Sequence, residues 1–203
     1  MSQKIIRLRD RTIVRIEPFT GKENAREFQR FINALTREGT YLLLNKLVTL
    51  DEETRWLQTQ VTEQRKGQQL QLKALVDERL IGTCIAKPGF GRNHGNVNLG
   101  IGISKQWRGK GIGHLLLEEL IRRSEKKWHP KNMHLQVVSV NKKALQLYES
   151  LGFRIIARLP QWFEYDKKFY DEYLLLLDKE QFFQQQNKSP KTHLRRQQKK
   201  III

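Results

Sequence analysis

The chain has 203 residues, 38% of them hydrophobic and 9% aromatic, a length that suits one well-packed domain rather than two. Its 38 Lys and Arg against 21 Asp and Glu leave a formal charge of +17, a field that favours polyanions such as cofactor phosphates, nucleic acid or an anionic surface. No stretch reaches the roughly 20 apolar residues of a membrane span, and the opening MSQKIIRLRDR lacks the apolar run of a secretory signal. The expected setting is the cytoplasm, which the single cysteine, Cys84, also suits because it excludes an internal disulfide.

In chain order the pattern alternates strands and helices. TIVRIEPF (12–19) reads as a strand that ends at Pro18. Thr20 is then a candidate helix cap, with Ala25, Phe28, Phe31, Ile32 and Leu35 recurring at helical spacing up to Gly39. A second helix starts near Asp51, with Trp56, Leu57 and Val61 on its apolar face, and stops at Gly67. LQLKALVD (70–77) and LIGTCIAK (80–87), joined around Glu78, give a hairpin signal, and a glycine-rich loop (89–96) leads into the strand VNLGIGIS (97–104). The helix that follows buries Ile112, Leu115, Leu116, Leu120 and Ile121. MHLQVVSV (133–140) is the next strand, KKALQLYESL (142–151) a short helix stopped by Gly152, and FRIIARL (153–159) and YDEYLLLL (170–177) are the last strands.

This order predicts an α/β (α+β) domain over 1–178, in which helices flank a sheet. Residues 179–203 are Gln/Lys-rich and carry +6, so they read as a flexible basic tail able to touch a polyanion, while the body retains +11.

The segment QWRGKGIG (106–113) places Gly109, Gly111 and Gly113 between and after two cations, Arg108 and Lys110, at the start of a helix. A nucleotide P-loop needs G-x-x-x-x-G-K-[ST], and a dinucleotide loop needs G-x-G-x-x-G after an early strand; neither spacing is present. Successive amides at a helix N-terminus still form an anion site, reinforced by the helix dipole. Without nearby carboxylates for magnesium, the phosphate it would hold is a handle, not a reacting group. That points to a carrier cofactor whose chemistry lies elsewhere along its length.

RGKGIG (108–113) resembles the R/Q-x-x-G-x-G/A signature of the GNAT superfamily of N-acetyltransferases, and VNKKALQLYESLGF (140–153) resembles the family's closing motif. The two motifs stand in order, about 30 residues apart, and the resemblance covers about residues 12–178. It implies a mixed, mostly antiparallel central sheet of about seven strands. It also implies acetyl-CoA as cosubstrate, no metal, and a primary amine as acceptor: a protein N-terminus or lysine, a polyamine or another small amine. The pyrophosphate would lie on Arg108, Gly109, Lys110, Gly111, Ile112 and Gly113. The pantetheine arm would pair with the strand edge Ile101, Gly102 and Ile103, and Asn141, itself a good helix N-cap, would help to hold that arm.

By the same resemblance Tyr148 is the general acid, its phenol being protonated at neutral pH. Many relatives carry a glutamate base near the position of Asn98, but this chain has no carboxylate from 79 to 117. The remaining sources of a base are Glu38, the cluster Glu164, Asp166, Asp171 and Glu172, or a water. The aromatic residues Tyr41, Trp162, Phe163, Tyr165, Phe169 and Tyr170 suggest a partly apolar acceptor cleft. Cys84 reads as a core residue, and the five histidines show no metal-ligand spacing. The competing function is a nucleic-acid- or ribosome-binding protein on the same scaffold, motivated by the basic tail. A monomer or homodimer suits either reading.

Overall fold

A computed structural model describes residues 3–39 and 41–188, with side chains through 185. Among the described residues, eight strands form one sheet in the order β1-β2-β3-β4-β5-β6-β8-β7. They are β1 (Lys4–Arg7), β2 (Ile13–Pro18), β3 (Leu70–Val76), β4 (Arg79–Pro88), β5 (Asn96–Ile103), β6 (Asn132–Val138), β7 (Phe153–Tyr165) and β8 (Lys168–Leu177). Five α-helices among the described residues cover it: α1 (Ala25–Arg37), α2 (Leu50–Arg65), α3 (Ile112–Trp128), α4 (Lys142–Ser150) and α5 (Lys179–Lys188). The mixed, mostly antiparallel sheet agrees with the expectation, with β1 added at its edge.

Two apolar clusters hold the layers together. On one face α3 lies over β3, β4 and β5, and Leu116, Leu117, Leu120 and Ile121 are fully buried among Val14, Leu72, Val97, Leu99 and Leu135. On the other face α1 and α2 bury Phe28, Phe31, Leu35, Leu57 and Val61 with Phe19, Leu75 and Leu80. Strand alternation feeds both faces from the same sequences, Leu75 to one side and Ala74 and Val76 to the other.

Three readings of the sequence are corrected. Thr20 does not cap α1: Asn24 does, its side chain accepting the N–H groups of Arg26 and Glu27, while Thr20 is held in a turn by Glu23. Trp56 is 42% exposed, because the buried stripe of α2 runs through Glu53, Leu57, Gln60 and Val61 and passes it by. Residues 179–188, read as the start of the tail, form α5. Asp178 accepts the N–H of Gln181, and Phe182 is 2% exposed with its ring edge-on to Phe183. The aromatic pair drives that burial and is hard to see in a Gln-rich sequence. The rest of the predicted tail, 189–203, lies outside the described residues. Among the described residues no helix is long and apolar enough to cross a membrane.

Among the described residues the β5–β6 pair is the only parallel one in the sheet, and it is short. It joins Asn96–Asn98 to Asn132–His134 and then stops. β5 continues on β4 as far as Ile103, and β6 continues on β8 as far as Val138. The two strands therefore part into a wedge at the centre of the sheet.

Candidate active site

The wedge leaves backbone groups without a ladder partner. The Ser104 N–H bonds the carbonyl of Ile81, directly across from it on β4. By the alternation of an antiparallel ladder, Gly102 and Gly100 also direct their groups at β4. The Leu99 N–H closes the short parallel ladder on the His134 carbonyl, and the C=O of Leu99 with the N–H and C=O of Ile101 and Ile103 are left facing the wedge. Consistent with this, the Ile103 carbonyl accepts a hydrogen bond from Arg108 Nε at 2.9 Å. The side chains of Ile101 and Ile103 pack toward α3, and Gly102 has α1 above it: a Cβ there would lie 3.2 Å from Leu35 Cδ1.

The glycine loop sits where β5 turns into α3. Gly109 and Gly111 have φ of +75° and +80°, and a Cβ at either would meet nothing within 4 Å. They make the turn and leave open space above the first amides of α3, whose N-cap, Gly111, provides no side-chain hydrogen bond. Gly113 differs. Its Cβ would lie 3.1 Å from Leu147 Cδ2, so the bare position lets α4 close on α3.

The two cations of this loop are already engaged. Arg108 Nη2 pairs with Glu38 Oε2 at 2.7 Å, tying the loop to the end of α1. Lys110 Nζ lies 3.5 Å from Asp10 Oδ2 and 4.8 Å above the Trp107 ring. Neither partner was legible in the sequence, since each is at least 70 residues distant.

Asn141 caps α4, its Oδ1 accepting the Ala144 N–H at 3.2 Å. Tyr148 lies farther along α4, 7% exposed, edge-on to Phe153 and in the same cluster as Ile101, Ile103 and Leu147. Its hydroxyl has no hydrogen-bond partner among the described residues, and burial pushes its pKa up to about 12.

Across the sheet, the α1–α2 connection meets the β7–β8 hairpin. Tyr41 stacks edge-to-face on Phe163 and Tyr165, with centroids 6.3 and 5.8 Å away, and Tyr165 Oη sits against Gly39. Trp162 and Phe169 remain exposed on the hairpin.

The structure sorts the five candidate carboxylates. Glu38 is paired with Arg108, and Glu164 and Asp166 are exposed near the hairpin turn. Asp171 accepts the Gln161 N–H and pairs with Arg158, contacts that hold its pKa below the usual range. Glu172 alone is both buried, at 8% exposure, and without a side-chain partner among the described residues, and burial raises its pKa. It lies opposite Val138 of β6 and Leu159 of β7, and its neighbour Tyr173 belongs to the α3-side cluster. Alternation therefore turns Glu172 to the other face. At the vertex of the wedge, Asn98 Nδ2 is 3.5 Å from His134 Nδ1, and burial keeps that histidine's pKa low. Among the described residues no group of three His, Cys, Asp or Glu could hold a metal ion.

A strand edge opened by a wedge, a glycine turn at a helix N-terminus and a buried phenol beside them suit an extended, phosphate-bearing acyl carrier of the kind a transferase uses. The comparisons agree. The model of the acetyltransferase (GNAT) family matches residues 29–153. An acetyltransferase of the GNAT family from Streptococcus pneumoniae is 26% identical, with a TM-score of 0.70, covering 80% of this chain and 98% of its own. The yncA protein of Salmonella typhimurium, solved with its cofactor acetyl-CoA, is 19% identical, with a TM-score of 0.70 and coverage of 81% and 92%. A ribosomal-protein-alanine N-acetyltransferase from Brucella melitensis is 22% identical, with a TM-score of 0.69 and coverage of 79% and 97%. No curated protein sequence matches the chain. The chain belongs to the GNAT family: it is an N-acetyltransferase, with acetyl-CoA as its cosubstrate.

The residues present fit that cosubstrate. The space above Gly109 and Gly111 would admit a pyrophosphate to the first amides of α3, and the free edge of β5 would pair with an amide-bearing arm.

Proposed function

We propose that the chain moves an acetyl group to a primary amine by direct attack in a ternary complex, with Tyr148 as general acid and Glu172 as general base. The observation that carries this reading is the placement of the two groups. Tyr148 belongs to the α3 side of the sheet, Glu172 faces the α1–α2 side, and the wedge opens between β5 and β6. When bound, acetyl-CoA supplies the activated thioester. The free N–H groups of Ile101 and Ile103 give the wedge donors for a carbonyl oxygen on which negative charge develops. Tyr148 is kept protonated by burial and gives its proton to the departing sulfur. Glu172, desolvated and unpaired, accepts the proton of the incoming ammonium, so that the nitrogen attacks as the free amine.

The hairpin and the α1–α2 connection wall the acceptor side with Tyr41, Phe163 and Tyr165. This wall supports an amine at the end of a chain, such as a protein N-terminus or a lysine, as the acceptor. The ribosomal-protein acetyltransferase among the similar structures favours the same class.

The test is release of free thiol from acetyl-CoA over a panel of amines and peptides, for the full chain and for Glu172→Gln. Thiol should appear only when an acceptor is present. kcat/KM should rise with pH through the Glu172 ionisation in the parent chain and lose that limb in the variant, with roughly 100-fold lower activity. An unchanged pH profile would remove Glu172 as the base, and thiol release that leaves an acetylated protein without an acceptor would remove direct transfer.

A further inference from the structure

The cations that flank the glycines in sequence are committed to partners within the protein, yet two others stand uncommitted beside the same loop. The β1–β2 turn is closed by Leu8 N–H on the Thr12 carbonyl, at 2.8 Å, and by Arg11 N–H on the Leu8 carbonyl, at 3.0 Å. Arg11 takes φ of +69°, the left-handed position that such a turn usually gives to glycine or asparagine. An arginine kept in a strained position is an outlier that asks for a role.

Asp10, between the two arginines, fixes both the shape of the turn and its place. Its Oδ1 accepts the Thr12 N–H at 3.0 Å, and its Oδ2 faces Lys110 Nζ of the glycine loop. The Thr12 hydrogen bonds hold the Asp10 carboxyl below its usual range, so it is ionised at neutral pH. Farther along β1, Lys4 Nζ pairs with Glu119 Oε2 of α3 at 2.9 Å. β1 is thus tied to α3 itself, and its turn to the glycine loop at the N-terminal end of that helix. Arg9 and Arg11 are exposed and have no side-chain hydrogen bond or ion pair among the described residues.

We propose that the β1–β2 turn is a second anion site, in which Arg9 and Arg11 hold the 3′-phosphate of the coenzyme A moiety. This rests on the glycine loop receiving the pyrophosphate. The loop has the wedge and α4 on one side, Gly113 against Leu147 and His114 Nδ1 3.3 Å from Ser150 Oγ, and the β1–β2 turn on the other. An extended molecule that leaves the wedge and crosses the start of α3 continues toward the turn. There the chemistry changes from a pyrophosphate, which backbone amides can hold, to a phosphomonoester of higher charge. Guanidinium forks suit that group, and two arginines about one residue apart on either side of Asp10 can share it. Lys110, held by Asp10 and Trp107, marks the boundary between the two phosphate sites.

Calorimetric titration of the full chain with coenzyme A and with 3′-dephospho-coenzyme A tests this without measuring turnover. The parent chain should bind coenzyme A roughly five- to tenfold tighter than the dephospho form at low salt, and added salt should shrink the difference. R9Q/R11G should bind both forms alike, with the parent's affinity for the dephospho form. Arg11→Gly alone should weaken only coenzyme A while raising Tm, because glycine relieves the left-handed strain. Equal affinity of the parent for both ligands would overturn the assignment, as would a variant that weakens both to the same extent. No binding of either ligand by the parent would overturn the cosubstrate reading, and this assignment with it.

Discussion

On the α3 face, the groups proposed to hold the cosubstrate are mainly backbone: the free edge of β5, the turn at Gly109 and Gly111, and the first amides of α3. On the α1–α2 face, the proposed acceptor side is built from side chains: Tyr41 from one connection, Phe163 and Tyr165 from a hairpin, and Glu172 from β8. The difference follows from what each side recognises. A cosubstrate of fixed chemistry can be held by amides and turns, which require particular glycines and spacings. An acceptor is selected by shape and charge, which many combinations of side chains can supply. Only the first kind of site leaves a compact motif.

The contrast can be broken most sharply at Tyr148, the general acid proposed on the α3 face. Tyr148→Phe keeps the ring packed on Phe153 and removes only the hydroxyl. Turnover should fall by about 100-fold or more while titrated affinity for acetyl-CoA stays the same. If turnover is unchanged, Tyr148 only packs, and the α3 face contributes backbone alone.

A second experiment concerns the stability of the α1–α2 face. Glu53 of α2 is 5% exposed, has no side-chain partner among the described residues, and burial lifts its pKa from an ordinary 4.5 to about 7. The folded protein then holds this proton more tightly than the unfolded chain. Stability should be fullest below pH 4.5 and fall as pH rises toward and through about 7. Glu53→Gln should therefore raise stability above pH 7 by about 1–3 kcal/mol and leave it unchanged near pH 4. Denaturant midpoints of both proteins at the two pH values check this. An equal effect at both would show that Glu53 is not a desolvated carboxylate.

The smallest effect distinguishes two reasons for a glycine on the α3 face. Gly113→Ala places a methyl group 3.1 Å from Leu147, which should cost about 1 kcal/mol, read as a lower Tm. The double variant with Leu147→Ala should recover part of that loss. If the single variant is as stable as the parent, Gly113 is not needed for α4 to close on α3.

Much of this protein was legible before folding. The hairpin around Glu78 forms a two-residue turn with Asp77 and Glu78 both at positive φ, as the alternating apolar runs on either side required. Asn141 caps α4, and Gly152, at φ +89°, follows its end. The motif at 108–113 placed the start of α3 because glycine spacing and helix periodicity are local properties. α1 began later than expected because Asn24 rather than Thr20 has its side chain over the first free amides, a choice that depends on Glu23 holding the preceding turn. Phe182 and Phe183 lacked the repeated period that marks a helix, and their burial came from the core they meet.

The sequence by itself determined the order of strands and helices from β2 to β8, the glycine turn and the closing motif with Tyr148, because each is written in neighbouring residues and in periods of two or 3.6. Tertiary structure alone decided that Arg108 is held by Glu38 and Lys110 by Asp10, and that Glu172 is the candidate carboxylate left buried and unpaired. It also decided where β5 and β6 part. Those outcomes depend on which distant groups meet and how much water reaches them, and neither quantity is a property of a short stretch of chain.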